Sequence, residues 1–268
     1  MNLAICSLAS GSSGNCYVVR GGDTFVLVDA GISGRQIKDR LKAIGLDPGR
    51  LSAILLTHSH SDHVKGLTAI LKSTDALVYA NEATAADACP ELPAERLQLF
   101  STGEGFPVGS LQVQSFPVSH DTADPVGFSF LRENKQVSIV TDTGVVTQPV
   151  YDQIRGADIL VLESNHDENI LRMGRYPWFL KQRILGEQGH LSNEAAAKAL
   201  ASALAEEDAL HGSIKPRTVL LAHLSRENNF PEMALATVNN ILEERGLLRA
   251  GLSISALPRT EQSAVYMV

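Results

Sequence analysis

Cysteine is scarce. Cys6, Cys16 and Cys89 are all there is in 268 residues, and they form no CxxC pair. An odd, unpaired set excludes a disulfide scaffold and a cysteine-built zinc site, and suits reduced, buried thiols in a cytoplasmic protein. Long apolar runs are missing too, since none approaches the eighteen or so residues that cross a bilayer. The start Met1-Asn2-Leu3-Ala4-Ile5-Cys6 has no basic region and soon meets Gly and Ser, so it reads as a first strand and not as a secretory signal. Positive charge is short: 23 Lys and Arg face 30 Asp and Glu, a net charge of −7. That argues against a broad basic surface gripping nucleic acid by counterion release, so a polyanionic substrate would have to be held locally. With no low-complexity segment, charge block or internal repeat, one domain spanning residues 1–268 is expected, long enough to bury about three quarters of its unfolded surface.

Histidine is scarce as well, with 8 in the chain, yet three fall in the stretch Thr57-His58-Ser59-His60-Ser61-Asp62-His63. This stretch follows the apolar run Ala53-Ile54-Leu55-Leu56, which reads as a buried strand. Alternate side chains of an extended segment share a face, so His58 and His60 can address one ion. A turn starting there swings Asp62 and His63 toward a second position. Imidazole and carboxylate suit zinc, manganese or iron.

Hydrophobic periodicity and turn residues predict strands at 3–8, 16–20 and 24–29, then a helix capped by Ser33 and stopped by Gly45. A helix over 63–71 leaves the histidine motif. Further strands are expected near 76–79, 111–118, 126–131, 137–141, 157–162 and 218–222, with helices over 178–185 and 193–205 and from Pro231 to Gly246. The mixture implies an α/β protein with sheets inside and helices outside.

Three more chemistry-bearing residues stand where buried strands give way to loops: His120, Asp142 and His223. Asp29 sits in the same kind of place. Together these residues resemble the metallo-β-lactamase superfamily, which pairs HxHxDH with a later His, a later Asp and a final His. The resemblance covers essentially the whole chain and implies a four-layer αβ/βα sandwich. It implies that His58, His60 and His120 hold one metal, that Asp62, His63 and His223 hold a second, and that Asp142 bridges them. Asp29 then orients the histidine loop, because ligands need such partners. Two divalent ions with Asp62, Asp142 and one hydroxide leave a core of about +1, which attracts an anion despite the acidic whole.

Finer motifs separate the branches of that superfamily. Residues 7–16 (Ser-Leu-Ala-Ser-Gly-Ser-Ser-Gly-Asn-Cys), 162–167 (Leu-Glu-Ser-Asn-His-Asp), 189–193 (Gly-His-Leu-Ser-Asn) and 223–229 (His-Leu-Ser-Arg-Glu-Asn-Asn) are similar to the YycJ/VicX-like (WalJ-like) branch. That branch is related to ribonuclease J and ribonuclease Z, and the resemblance implies 5′-to-3′ exonuclease action on DNA. In such a mechanism a metal-bridged hydroxide positioned by Asp62 attacks in line, and His190 serves as acid or stabiliser for the departing alkoxide.

Phosphate contacts are expected from Ser10, Ser12, Ser13 and Asn15 of the Gly/Ser turn, from Ser192 and Asn193 at a helix start, and from His166. Asp121 is expected to orient its neighbour His120. Arg172, Arg175, Lys181 and Arg183, interleaved with Tyr176 and Trp178, read either as a track for a nucleic-acid backbone or as a solvated helix face with one aromatic anchored in the core. The expected partner is nucleic acid, DNA ahead of RNA, with no membrane and with a homodimer as one way to complete the groove. Two readings compete: a thioester or lactone hydrolase of the glyoxalase II type, and a metal-binding signalling protein without turnover.

Overall fold

The computed structural model describes residues 3–268. Met1 and Asn2, part of the start read as a first strand, lie outside them. The chain divides into two compact units. The first holds the residues up to Pro117, Thr122–Lys135 and Pro258–Val268, and the second holds Val118–Asp121 and Gln136–Leu257.

In the first unit a seven-stranded sheet runs in the order Tyr266–Met267, Leu3–Ala9, Cys16–Gly21, Thr24–Val28, Ala53–Leu55, Leu77–Ala80, Leu97–Leu99. The strands up to Thr24–Val28 pair antiparallel, and from there onward the pairing is parallel. Helix Gly34–Ala43 starts at a capping box, in which Ser33 accepts from the Gln36 backbone and Gln36 answers with its side chain. It turns Ile37 and Leu41 into a core shared with Leu8, Leu27, Ile54, Leu67 and Ile70. Burying those two helix residues contributes at most about 3–6 kcal/mol.

The helix expected over 63–71 is two short pieces, Ser61–Val64 and Leu67–Leu71. Gly66 stands between them with its N–H on Ala30 O, and a β-carbon there would lie 1.9 Å from Ile32 O. A tertiary contact, invisible to local periodicity, breaks the helix. The antiparallel strands Gly105–Val108, Leu111–Pro117 and Val126–Arg132 complete this unit's strands.

The strands Lys135–Val140, Ile159–Glu163, Arg217–Ala222 and Leu252–Ala256 pair in parallel, and the two central ones carry the apolar runs 159–162 and 219–222 of strands covered on both faces. Helices Gln148–Gly156, Asn193–His211 and Pro231–Glu244 bury one stripe each, for example Ala234, Val238 and Leu242 at helical spacing. The short edge strands Leu97–Leu99, Gly105–Val108, Leu252–Ala256 and Tyr266–Met267, and the helices Glu82–Ala88, Gln148–Gly156 and Glu168–Met173, were not predicted. Most of these are too brief to stand out from loops, and the nine-residue Gln148–Gly156 carries only Val150 and Ile154 as its buried stripe.

Candidate metal centre

Parallel pairing aligns the ends of strands, and in each unit the chemistry collects at the carboxyl ends. In the first unit Val28 pairs with Leu55, so Asp29 and the histidine stretch leave the sheet side by side. Asp29 is buried and accepts three hydrogen bonds, from Thr57 N (2.9 Å), Thr57 Oγ1 (2.8 Å) and His63 Nδ1 (2.7 Å). Burial nevertheless pushes its carboxyl upward, against the opposing pull of His63 and Thr57. Thr57 gives its only hydroxyl proton to Asp29, so at 2.9 Å from His58 Nδ1 it must accept. Both His58 and His63 therefore carry the proton on Nδ1 and keep the lone pair on Nε2, the atom a metal takes.

Asn15 Nδ2 donates to His63 Nε2 at 3.0 Å, in keeping with that lone pair. The His58 ring lies 4.8 Å from that of His60 and 4.0 Å from that of His63, and Asp62 Oδ2 is 3.8 Å from His63 Nε2. The loops are sewn together at Gly31, whose N–H bonds Asn15 O while Asn15 N bonds Asp62 O. A β-carbon on Gly31 would lie 1.6 Å from Asp62 O, so only glycine permits this approach.

In the second unit Val140 pairs with Leu162 and Glu163 with Ala222, which brings Asp142, Glu163 and His223 to one edge. Glu163 is fully buried and serves four donors. Its Oε1 accepts from His190 Nδ1 at 2.8 Å and His223 Nδ1 at 2.7 Å, and its Oε2 accepts from Thr143 N at 3.0 Å and Leu191 N at 3.3 Å. Burial alone would raise its carboxyl, but the charge and hydrogen bonds of His190, then of His223, outweigh that and hold it well below the usual carboxylate range. Nδ1 of His120 faces Gly189 O at 3.3 Å, so His120, His190 and His223 share the tautomer found in the first unit.

Asp142 Oδ1 lies 3.4 Å from His223 Nδ1 and 3.9 Å from His120 Nε2. Asp142, Glu163, His190 and His223 each offer an atom within 4.8 Å of the others. Imidazoles and carboxylates with no thiolate form a donor set that fits divalent ions. Burial, only partly offset by Asp142, lowers the His120 pKa and keeps that ring neutral, as a ligand must be.

Backbone strain marks the same residues. Asp29, Asp142 and His223 adopt left-handed φ values of 60°, 57° and 56°. Each costs about 1 kcal/mol or more, which glycine would avoid at the loss of the side chain.

The metal-motif residues thus fall into two sets, His58, His60, Asp62 and His63 in the first unit and His120, Asp142 and His223 in the second. Glu163 was missed as a functional residue, although a carboxylate closing the apolar run 159–162 is the signal that singled out Asp29 and Asp142. Asp121 bonds Arg183 Nε at 2.5 Å and lies 3.6 Å from His120 Nε2.

Several of the expected substrate contacts have polar atoms that also bond within the protein. Ser10 Oγ pairs with Tyr17 OH, and Asn15 accepts from Gly11 N while bracing His63. Ser192 caps helix Asn193–His211, and the buried Asn193 is locked to Ser164 and Asn229. His166 is buried, and neither of its ring nitrogens has a hydrogen-bond partner among the described residues. Only Ser12 and Ser13 of that set are exposed. All three cysteines are free and buried. No helix among the described residues is long and apolar enough to cross a membrane.

A beta-lactamase superfamily domain model matches residues 24–211. Exodeoxyribonuclease YycJ of Bacillus anthracis is 41% identical over 249 residues, covering 92% of this chain and 91% of that protein. Exodeoxyribonuclease WalJ of Streptococcus pneumoniae is 38% identical over 245 residues, covering 90% and 88%. Among solved structures, the metallo-beta-lactamase fold protein YhfI from Bacillus subtilis gives a TM-score of 0.69 at 14% identity over 98% of this chain and 99% of that one. The short form of human tRNase Z gives 0.61 at 16% over 97% and 98%. At such identities the likeness is one of fold, and it bears out the α/β sandwich of metallo-β-lactamase type expected from the sequence.

Proposed function

The chain belongs to the metallo-β-lactamase superfamily of metal-dependent hydrolases, in the branch of the YycJ and WalJ proteins, and from that membership we propose that it is a 5′-to-3′ exodeoxyribonuclease. Likeness over more than nine tenths of the chain to a relative named an exodeoxyribonuclease carries this reading. It favours phosphodiester hydrolysis over the thioester, lactone and non-catalytic alternatives.

We assign His58, His60 and His120 to one divalent ion and Asp62, His63 and His223 to a second, with Asp142 shared, and take manganese or zinc as the metal. When bound, such ions supply Lewis acidity for attack on phosphorus and for departure of the leaving oxygen. Within this reading Asp62 orients the attacking water. His190, 17% exposed at its side chain, is more open to substrate than the buried His120 and His223 beside it, and its Nε2 would hold a proton toward the leaving oxygen. Glu163 orients His190 through Nδ1 while fixing His223. Ser12 and Ser13 are the turn hydroxyls open to a phosphate.

We read the chain as a single hydrolase domain over residues 1–268. Free cysteines support the cytoplasm as its compartment, and a homodimer is one way to complete a nucleic-acid groove.

The test is a panel of end-labelled DNA and RNA, single and double stranded, with and without 5′-phosphate, in manganese and in zinc. DNA shortening from its 5′ end is expected, abolished in folded His60→Ala and Asp142→Asn variants. Intact DNA with either metal, or activity that survives metal stripping, overturns the proposal.

A further inference from the structure

Helices Glu168–Met173 and Trp178–Leu185 form a hairpin in the second unit that buries Leu171 and Lys181 and leaves most of its other side chains exposed or half-buried. Met173 is 82% exposed, Trp178 62% and Phe179 73%, so the reading of one aromatic anchored in the core is wrong for this segment. The hairpin is nonetheless built firmly. The buried Lys181 ties the two helices by donating to Arg172 O and Gly174 O, both at 2.7 Å, which removes it from the set of basic residues expected to meet a backbone. Asp167 caps the first helix through Ile170 N.

The far end of the hairpin is joined to the catalytic histidines. His190 N bonds Ile184 O, Gly189 N bonds Gly186 O, and Arg183 grips Asp121, the neighbour of His120. An element tied to the candidate site therefore holds two neighbouring aromatics in water, surface of the kind that interaction sites use.

Charge narrows the choice of partner. Between Asn169 and Gly186 lie four basic residues and no acidic one, on a chain whose net charge is −7; Lys181 is held by backbone carbonyls, Arg183 by Asp121 and Arg172 by Glu168, which leaves Arg175 to meet a ligand. Arg175 is exposed at the turn between the helices, next to Tyr176. Exposed aromatic planes beside arginines, on an otherwise acidic protein, suit unpaired bases strung on phosphates.

We propose that this hairpin is a platform for single-stranded nucleic acid, with Trp178 and Phe179 stacking on bases and Arg175 meeting the backbone. The inference rests on the nuclease reading above for its orientation relative to the scissile bond. Helix Trp178–Leu185 has 8 residues and so is about 12 Å long. That is the reach of three to four stacked nucleotides at ~3.4 Å each. A strand of about three nucleotides spans at most the helix, whereas one of about twelve covers Trp178 and Phe179 together with the site.

Trp178 is the chain's one tryptophan, so its fluorescence reports on the platform directly. The full chain, without added metal, is titrated with single-stranded oligothymidylate and oligouridylate of about three and about twelve nucleotides, lengths that straddle that reach. Trp178→Ala, Phe179→Ala and Arg175→Glu are compared by anisotropy of labelled strands. Quenching by the longer strands alone is expected, with Kd raised roughly 5- to 150-fold in each aromatic variant. Hydrolysis of bis-p-nitrophenyl phosphate in metal should stay unchanged, and the DNA and RNA arms show which strand is preferred.

Unquenched Trp178 with unchanged Kd overturns the proposal. So do variants that turn a dimer into a monomer in sedimentation at unaltered Kd, since the hairpin is then a subunit contact. Because binding is read without turnover, an inactive protein whose Trp178 is quenched refutes the nuclease reading alone, and an active nuclease with a silent Trp178 refutes the platform alone.

Discussion

Replacing Glu163 by glutamine changes one atom of a fully buried side chain, and the four donors around it allow the outcome to be worked out. The carboxylate accepts from His190 and His223 on one oxygen and from Thr143 N and Leu191 N on the other. An amide has one acceptor, so in either orientation its NH2 meets two N–H groups. The backbone pair cannot turn away, and losing both of those bonds would cost about 2–6 kcal/mol at ~1–3 kcal/mol each.

The imidazoles can turn away chemically. A proton moved from Nδ1 to Nε2 lets both rings accept from the amide, and this is the cheaper response. The expected stability loss is then only about 1–3 kcal/mol. The moved proton, however, blocks Nε2 of His223, so metal affinity should fall roughly 10- to 100-fold and DNA hydrolysis with it. Chelator competition for zinc and manganese measures the first quantity, and urea unfolding of the metal-stripped protein measures the second. Glu163→Gln with native metal affinity refutes the assignment of these tautomers. So does a variant whose affinity falls only as far as its global unfolding explains.

Two further outcomes follow from buried groups. Burial, against the pull of Glu163, lowers the His166 pKa from 6.5 to about 4. Between those values the unfolded chain takes up a proton that the folded chain refuses, so stability falls as pH drops through that window and is unaffected above it. The loss approaches ~3 kcal/mol for His166 alone. In His166→Leu the stability difference from the native chain should shift by that amount between about pH 7.5 and about pH 4.5 in urea titrations, and parallel profiles would show that the ring is not held neutral. Asp29→Ala strips the acceptor from Thr57 N, Thr57 Oγ1 and His63 Nδ1, and should cost about 2–4 kcal/mol. Asp29→Asn keeps one acceptor and tolerates the left-handed backbone, so its unfolding midpoint should lie between the two, and equal midpoints for both variants would deny the carboxylate its bracing role.

The HxHxDH stretch, the strand-end residues Asp29, His120, Asp142 and His223, and the α/β class could be read directly from the amino-acid order. Each rests on a local signal: an apolar run sets a strand, and the residue that follows it stands at the strand's end. His58 and His63 were legible as ligands for the same reason, but their tautomers were not. Those depend on Asp29 and Thr57, and Asp29 is distant in sequence and meets them only through parallel strand pairing. The break at Gly66 and the closeness of Gly31 to Asp62 likewise come from backbone meeting backbone across the fold. Glu163 shows the division most clearly. Its place after an apolar run was visible, but its service to two histidines and two backbone amides arises only when three parallel strands align their ends. Composition marked Trp178 as aromatic among arginines and could not say which way it faced. Exposure is a property of how helices pack, so only the tertiary structure turned that residue from a core anchor into a surface that a nucleic-acid strand can use.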